Sequence, residues 1–321
     1  MRSAIICHGD CDGVISAFLY IKHYLRDSYP RNVDMIFTQP WRAHLDMKKL
    51  SEGVNELIML DIALNHDVIK RLTDIISPSV RVTVIDHHVS SGDFINDLMR
   101  MGVKIIWSKA TSTPRLMFEK LRPAINPYEE FLIGVADVCE GAEAQDEKTS
   151  RVADLIKLSI ARDPGDLQYL KHLIKLMLKG QDLSSNEEVI QRANVAKWLL
   201  NKLIKIMEGR AILINDYLIA TLTIFESRIF AGLLGIATTE LSKVMKSDVI
   251  LIREEEDKIV VTVRSLKKRA LGICKEIAER LNGKYGGHAE AASATLSRSP
   301  LEEVQLKVIE VIRNARRLNP R

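Results

Sequence analysis

His8-Gly9-Asp10-Cys11-Asp12-Gly13 follows directly on the apolar run Ala4-Ile5-Ile6-Cys7, and Asp86-His87-His88 follows directly on Val82-Thr83-Val84-Ile85. Both stretches read as short buried strands that end in acids and imidazoles. Parallel sheets collect such residues along one rim, beyond the carboxyl ends of their strands. Asp61 closes Leu57-Ile58-Met59-Leu60 in the same way, so a third strand delivers a carboxylate there. One Asp after one strand is ordinarily a turn former or a helix cap. Three strand ends with one shared chemistry point to a site.

Working outward, the first half alternates β-rich runs with helical spacing. Ala4 to Cys7, Val33 to Phe37, Glu56 to Leu60, Val80 to Ile85 and Val103 to Trp107 read as strands, with helices over Gly13 to Arg26 and Asn65 to Ile76. Nearly continuous apolar strands joined by helices predict a parallel sheet covered on both faces. Helices are then expected over Pro114 to Leu121, Pro127 to Val138 and Leu167 to Lys179, and a long amphipathic connector over Asn186 to Gly209. A second α/β unit follows. Its strands are expected at Ala211 to Asn215, Leu218 to Phe225, Val249 to Arg253 and Ile259 to Ser265, with helices over Phe230 to Met245, Ala270 to Leu281 and Leu301 to Arg317. The expected division is a first domain over 1–185, a helical connector over 186–210 and a smaller α/β domain over 211–321.

Composition sets modest bounds. A chain of 321 residues with 46% hydrophobic and 27% charged residues suits a globular protein with a full core. A net charge of +4 permits a polyanionic partner without requiring one. No apolar run reaches the roughly 18–20 residues of a membrane span, so no membrane partner is expected. The N-terminus reads directly into a strand, so no signal peptide is expected. The four cysteines, Cys7, Cys11, Cys139 and Cys274, form no C-x-x-C pair, so reduced thiols and a cytoplasmic location are expected. Cys7 and Cys11 read as packing residues, as do Trp41, Trp107 and Trp198.

With Asp137 added from the apolar context Leu132-Ile133-Gly134-Val135-Ala136, the candidate metal ligands are His8, Asp10, Asp12, Asp61, His87 and Asp137. Oxygen-rich ligation with a little imidazole suits manganese or magnesium better than zinc. Six ligands exceed what one small ion needs while it keeps positions open for substrate. They suit two ions that share a carboxylate, as in hydrolysis of phosphate esters. Ala110-Thr111-Ser112-Thr113 before Pro114 reads as a helix cap, and Arg115 as a group facing the cleft.

These residues resemble the successive motifs of the DHH phosphoesterase superfamily. The resemblance implies that His8 and Asp10 bind one manganese, that Asp12, His87 and Asp137 bind the other, and that Asp61 bridges. It further implies that His88 faces the scissile phosphate and that Asp86 orients the histidines. In the second half, Gly283-Lys284-Tyr285-Gly286-Gly287-His288 resembles the glycine-His loop of the DHH-associated domain, with Tyr285 where the first glycine of that motif would stand. Val263-Arg264-Ser265 resembles the strand that carries its substrate-facing arginine. Gly286, Gly287, His288 and Arg264 are therefore expected to hold substrate phosphate. Lys267-Lys268-Arg269 reads equally as a solvated face or a phosphate track.

The activity so implied is a two-Mn(2+) phosphodiesterase or exonuclease, with Mg(2+) as the other candidate ion. Its partners would be short oligonucleotides, single-stranded RNA or DNA ends, or nucleotide phosphates, in the manner of nano-RNases and pAp phosphatases. A RecJ-like single-strand exonuclease of replication and repair is the close competitor, and a cyclic-dinucleotide phosphodiesterase a third reading. A non-catalytic scaffold docked onto replication or repair proteins belongs to another class, and it should show eroded ligands, which this chain does not. A homodimer through the first domain is also expected to be open to this chain.

Overall fold

A computed structural model describes residues 2–318, and they form two compact units that divide between Asn194 and Val195. The first unit is built on a five-stranded parallel sheet: β1 (Ser3–His8), β2 (Val33–Thr38), β3 (Glu56–Leu60), β4 (Arg81–Asp86) and β5 (Lys104–Trp107), in the order β2-β1-β3-β4-β5. The chain leaves β1 for β2 on one side and then continues from β3 on the other. The strand order therefore reverses between β1 and β3, and a crevice opens beyond their carboxyl ends.

Strand alternation sends successive side chains to opposite faces. Ile5, Cys7, Ile58, Leu60 and Ile85 pack on one face beneath the helices Cys11–Tyr24, Thr113–Leu121, Pro127–Cys139, Glu147–Ala161 and Leu167–Leu178. Ala4, Ile6, Leu57, Met59, Val82 and Val84 pack on the other with Val68, Leu72 and Leu98. Burial on both faces explains why these strands read as continuous apolar runs rather than alternating ones. The Glu147–Ala161 helix was not among the expected elements. Asp146 caps it by accepting from Thr149 N, and Val152, Ile156 and Ile160 recur at helical spacing on its buried side.

The second unit is a six-stranded mixed sheet: β6 (Ile212–Ile214), β7 (Tyr217–Leu222), β8 (Asp248–Glu254), β9 (Lys258–Arg264), β10 (Lys284–Gly287) and β11 (Ala291–Ser297), in the order β10-β11-β9-β8-β7-β6. Only β7 and β8 run parallel. Ile250, Ile252, Val261 and Val263 pack against Ile273 and Ile277 of the helix Ala270–Arg280 and Val308 and Ile312 of the helix Leu301–Leu318. Two expectations are corrected here. Phe225 lies in a short helix, Ile224–Ile229, because Thr223 and Glu226 close a capping box that ends the strand. The glycine-His segment is edge strand β10 over Lys284–Gly287 rather than a free loop. The helix Glu187–Arg210 crosses the boundary between the units, and none of the described helices is long and apolar enough to cross a membrane.

The cysteine expectation is overturned in part. Cys11 and Cys139 are joined by a disulfide with their Cα atoms 6.3 Å apart, while Cys7 and Cys274 are buried free thiols. Trp41 and Trp198 are not core residues, being 63% and 60% exposed. The disulfide spans a sequence separation of 128 residues. In the chain-entropy account, closing a loop of that length removes about 5 kcal/mol of unfolded-state freedom. Reductant is expected to lower the denaturation midpoint of the wild-type chain and to leave Cys139→Ser unmoved. Equal midpoints with and without reductant would show that the two sulfurs are not bonded in solution.

Candidate metal centre

Strand register builds the site. Cys7 pairs with Leu60, Leu60 with Ile85, and Ile85 with Ile106, so the residues that follow, His8, Asp61 and Asp86, leave the sheet at one level. Gly13 must be glycine, since a Cβ there would stand 2.2 Å from the carbonyl oxygen of His8. That close approach folds the helix Cys11–Tyr24 back over the strand it follows. Asp10 is the cap of this helix, accepting from Gly13 N at 3.0 Å, and its other oxygen lies 2.7 Å from His8 Nδ1. Cap and candidate ligand are thus one residue. Asp61 adopts φ 58°, left-handed backbone that an Asp tolerates better than most residues. Such conformations cost of the order of 1 kcal/mol or more and cluster at functional sites.

Asp61 collects the cluster. His8 Nδ1 lies 3.6 Å from it, His87 Nε2 3.5 Å and His88 Nδ1 3.9 Å. Asp12 lies 3.7 Å from His87 Nε2. Asp12 and Asp61 are fully buried, and the ion-pair partners of both are histidines. Three groups of side chains bring ligand atoms within 4.8 Å of one another: His8, Asp10 and Asp61; Asp61, His87 and His88; and Asp12, His87 and Glu140. Asp61 belongs to two of them, the position a bridging carboxylate would hold.

The histidines are oriented from behind. His8 Nε2 meets Gln39 Oε1 at 3.0 Å and His87 Nδ1 meets the Ala110 carbonyl at 3.1 Å. With those nitrogens donating, the ring nitrogens that face the carboxylates, His8 Nδ1 and His87 Nε2, are the ones left with lone pairs. Both are buried and outside hydrogen-bonding geometry to any neighbour. Two such atoms beside buried carboxylates fit a divalent cation of the manganese or magnesium type.

The electrostatics agree. Burial, with the charges of Asp61, Glu140 and Asp10, holds the Asp12 carboxyl well above its ordinary range. Burial acts the same way on Asp61, but pairing with His8 and His87 outweighs it and keeps that group below the carboxylate range. Burial would lower His87, yet Asp61 outweighs it and raises the imidazole to about 9. Without a cation the cluster therefore attracts protons, and a divalent ion would compete for the same positions.

His88 is held differently. Its Nδ1 donates to Asp86 at 2.7 Å, Asp86 also accepts from Ser91 Oγ, and Trp107 Nε1 donates to the His88 carbonyl at 2.8 Å. Asp137 accepts from Ser112 Oγ at 2.6 Å and from Arg115 Nε at 3.0 Å. Arg115, expected to face substrate, is thus paired with a candidate ligand.

Sequence reasoning missed Gln39 and Glu140, and it reached Thr113 only as part of a helix cap. Gln39 directly follows β2, so the same strand-end argument reaches it. Thr113 donates its N–H to Asp12 at 3.0 Å and its hydroxyl to Asp61 at 3.1 Å. Ser112 caps the helix Thr113–Leu121, so the cap reading holds, and the contact with the acids comes in addition.

In the second unit, Arg264 ends β9, with Nε donating to Thr239 Oγ1 at 3.1 Å. Gly287 needs its φ of 133°, because a Cβ would stand 2.4 Å from the Ala291 carbonyl oxygen. His288 is exposed beside it, its N–H donating to Ala291 at 2.7 Å. In the basic run, Arg269 pairs with buried Asp248 and with Asp216, while the exposed Lys267 and Lys268 pair with Asp216 and Glu290.

Residues 215–314 match the DHHA1 domain family, and the whole chain superposes on solved DHH structures. The chain has the fold of these solved structures, and the DHHA1 match lies within its second unit. RecJ from Thermus thermophilus, solved with Mn2+, is similar at a TM-score of 0.66 and 16% identity over 98% of this chain and 52% of that one, so this chain spans about half the length of that RecJ. PggH from Vibrio cholerae, described as a pGpG-specific phosphodiesterase, gives 0.62 and 15% over 98% and 99%. An exopolyphosphatase-related protein from Bacteroides fragilis gives 0.58 and 19% over 99% and 93%. No curated protein sequence matches significantly.

Groups that orient ligands typically contribute 10–100-fold to metal affinity. Thr113→Val keeps the shape but removes the hydroxyl that Asp61 accepts, and is expected to weaken manganese binding by about 10-fold. Calorimetric titration checks this, and unchanged affinity would remove Thr113 from the site.

Proposed function

We propose that this DHH protein is a manganese-dependent two-metal phosphodiesterase acting on short oligonucleotides or single-stranded nucleic acid ends. The observation that carries the reading is the pair of buried ring nitrogens, His8 Nδ1 and His87 Nε2, turned toward Asp10, Asp12 and Asp61 by hydrogen bonds from behind. His8, Asp10 and Asp61 would hold one ion, and Asp12, His87 and Asp61 the other. When bound, the ions acidify a water and neutralise the phosphoryl oxygens.

The chain's own residues supply the rest. Asp86 fixes His88 Nδ1 as the donor side of the ring, so Nε2 is the nitrogen available to a substrate. Protonated, it donates to a phosphoryl oxygen or to the leaving oxygen. Burial would lower the His88 pKa, but Asp86 outweighs it and raises it, which favours that protonated form. Arg264 offers a charged donor and His288 a ring N–H to a substrate phosphate, and Gly287 allows close backbone approach.

Likeness to PggH over nearly the full length of both chains supports a very short substrate. The RecJ likeness keeps single-strand exonuclease action as the second reading.

The test is a time course with manganese on end-labelled RNA and DNA, from dinucleotides to long single strands, with pAp and c-di-AMP alongside. Fast loss of the shortest chains is expected, with Asp61→Ala inactive and His88→Ala reduced in kcat by roughly 100–10,000-fold. Processive shortening of long strands would move the assignment to a RecJ-like exonuclease. Inactivity of the metal-loaded protein on every substrate would contradict both and favour a scaffold.

A further inference from the structure

Asp137 and Glu140 stand one helical turn apart at the end of the helix Pro127–Cys139, and their surroundings differ sharply. Both oxygens of Asp137 are engaged. Oδ1 accepts from Ser112 Oγ at 2.6 Å, and Oδ2 accepts from Arg115 Nε at 3.0 Å and Nη2 at 2.5 Å. A cation approaching that carboxylate would have to displace a guanidinium fork, and charge-assisted bonds are about twice as strong as neutral ones.

Glu140 has the opposite setting. It makes no ion pair with a lysine or arginine among the described residues, and its carboxylate lies within 4.8 Å of ligand atoms of both Asp12 and His87. The imidazole between them is the second observation. His87 is 10% exposed at its side chain, and its Nε2 is buried without a hydrogen-bond partner, 3.7 Å from Asp12. That nitrogen has a lone pair and no protein group that donates a hydrogen bond to it. Two carboxylates and one imidazole converge there, the donor set that a hard divalent cation takes.

The backbone explains why Glu140 reaches this point. Cys139, its immediate neighbour, is bonded to Cys11, which lies between Asp10 and Asp12. Glu140 N donates to the Ala136 carbonyl at 3.1 Å, and Gly141 then takes φ 98° and turns the chain away. The helix end is thereby tied to the first metal motif with Glu140 at the mouth of the cluster. Glu140 is the exposed member of the group it forms with Asp12 and His87.

We propose that Glu140, and not Asp137, is the carboxylate that closes the second metal position with Asp12 and His87. Asp137 is then a positioning residue that locks its helix to Ser112 and Arg115. The assignment rests on the two-metal reading above and names a ligand for it that strand-end spacing does not reach.

The experiment is manganese binding to the full chain, read by calorimetric titration and elemental analysis, with electron paramagnetic resonance to detect exchange-coupled ion pairs. Wild type, Glu140→Gln, Glu140→Asp and Asp137→Asn are compared, with thermal melting as the check of fold. The wild type should bind two ions and give the coupled signal. Glu140→Gln should retain one ion and lose that signal, and Glu140→Asp, which keeps the charge but shortens the reach, should weaken the second ion while staying folded. Asp137→Asn should bind two ions and melt at a lower temperature. Retention of two ions in Glu140→Gln, or equal loss of the second ion in Asp137→Asn, would overturn the assignment while leaving a two-metal centre in place. A wild-type chain that binds no manganese would instead overturn the two-metal reading, and this assignment with it.

Discussion

Everything at the candidate centre depends on the in-register parallel pairing of β1, β3 and β4. Because Cys7, Leu60 and Ile85 are aligned across the sheet, the three residues that follow them are delivered to one rim at one height. A shift of one residue in any strand would turn its terminal side chain to the other face. The buried layers on both sides make that shift costly, since it would move Ile58 and Leu60 out of one core and Leu57 and Met59 out of the other. The hydrophobic pattern thus fixes the coordinates of the polar groups.

What the sheet assembles is unstable on its own terms. Asp12 and Asp61 are buried carboxylates, Asp61 sits in left-handed backbone, and two imidazole nitrogens lack a hydrogen-bond partner. Unpaired buried charge is expensive, and a protein keeps it only where it is compensated. Part of the compensation is internal: Thr113 donates twice to the acids, and the Cys11–Cys139 disulfide fixes the helix end that faces them. The remainder is what a divalent cation would supply. Fold stability and metal affinity are therefore coupled through the same side chains.

The strand-end residues were legible in the sequence because their signal is local: an apolar run followed at once by acids and histidines. The parallel sheet was legible for the same reason, and β3 over Glu56–Leu60 matches its expected span. What was not legible depends on distant pairing. Nothing near Cys11 announces Cys139, and the i to i+3 relation of Asp137 and Glu140 does not say which of them Arg115 will take. The edge strand β10 is hard to see in the sequence because Lys-Tyr-Gly-Gly is exposed throughout and carries no apolar alternation. The helix Glu147–Ala161 did carry a usable pattern in Val152, Ile156 and Ile160, behind a capping Asp146. Trp41 and Trp198 show the limit of composition, since a large apolar ring is no guarantee of burial.

The measurement that bears most directly on the account is anomalous diffraction at the manganese edge from crystals grown with that ion. The account predicts two peaks in the first unit, one against His8 Nδ1 and Asp10, the other against His87 Nε2 and Asp12, with Asp61 touching both. Peaks elsewhere, or one peak that leaves His8 Nδ1 or His87 Nε2 without a metal, would contradict it.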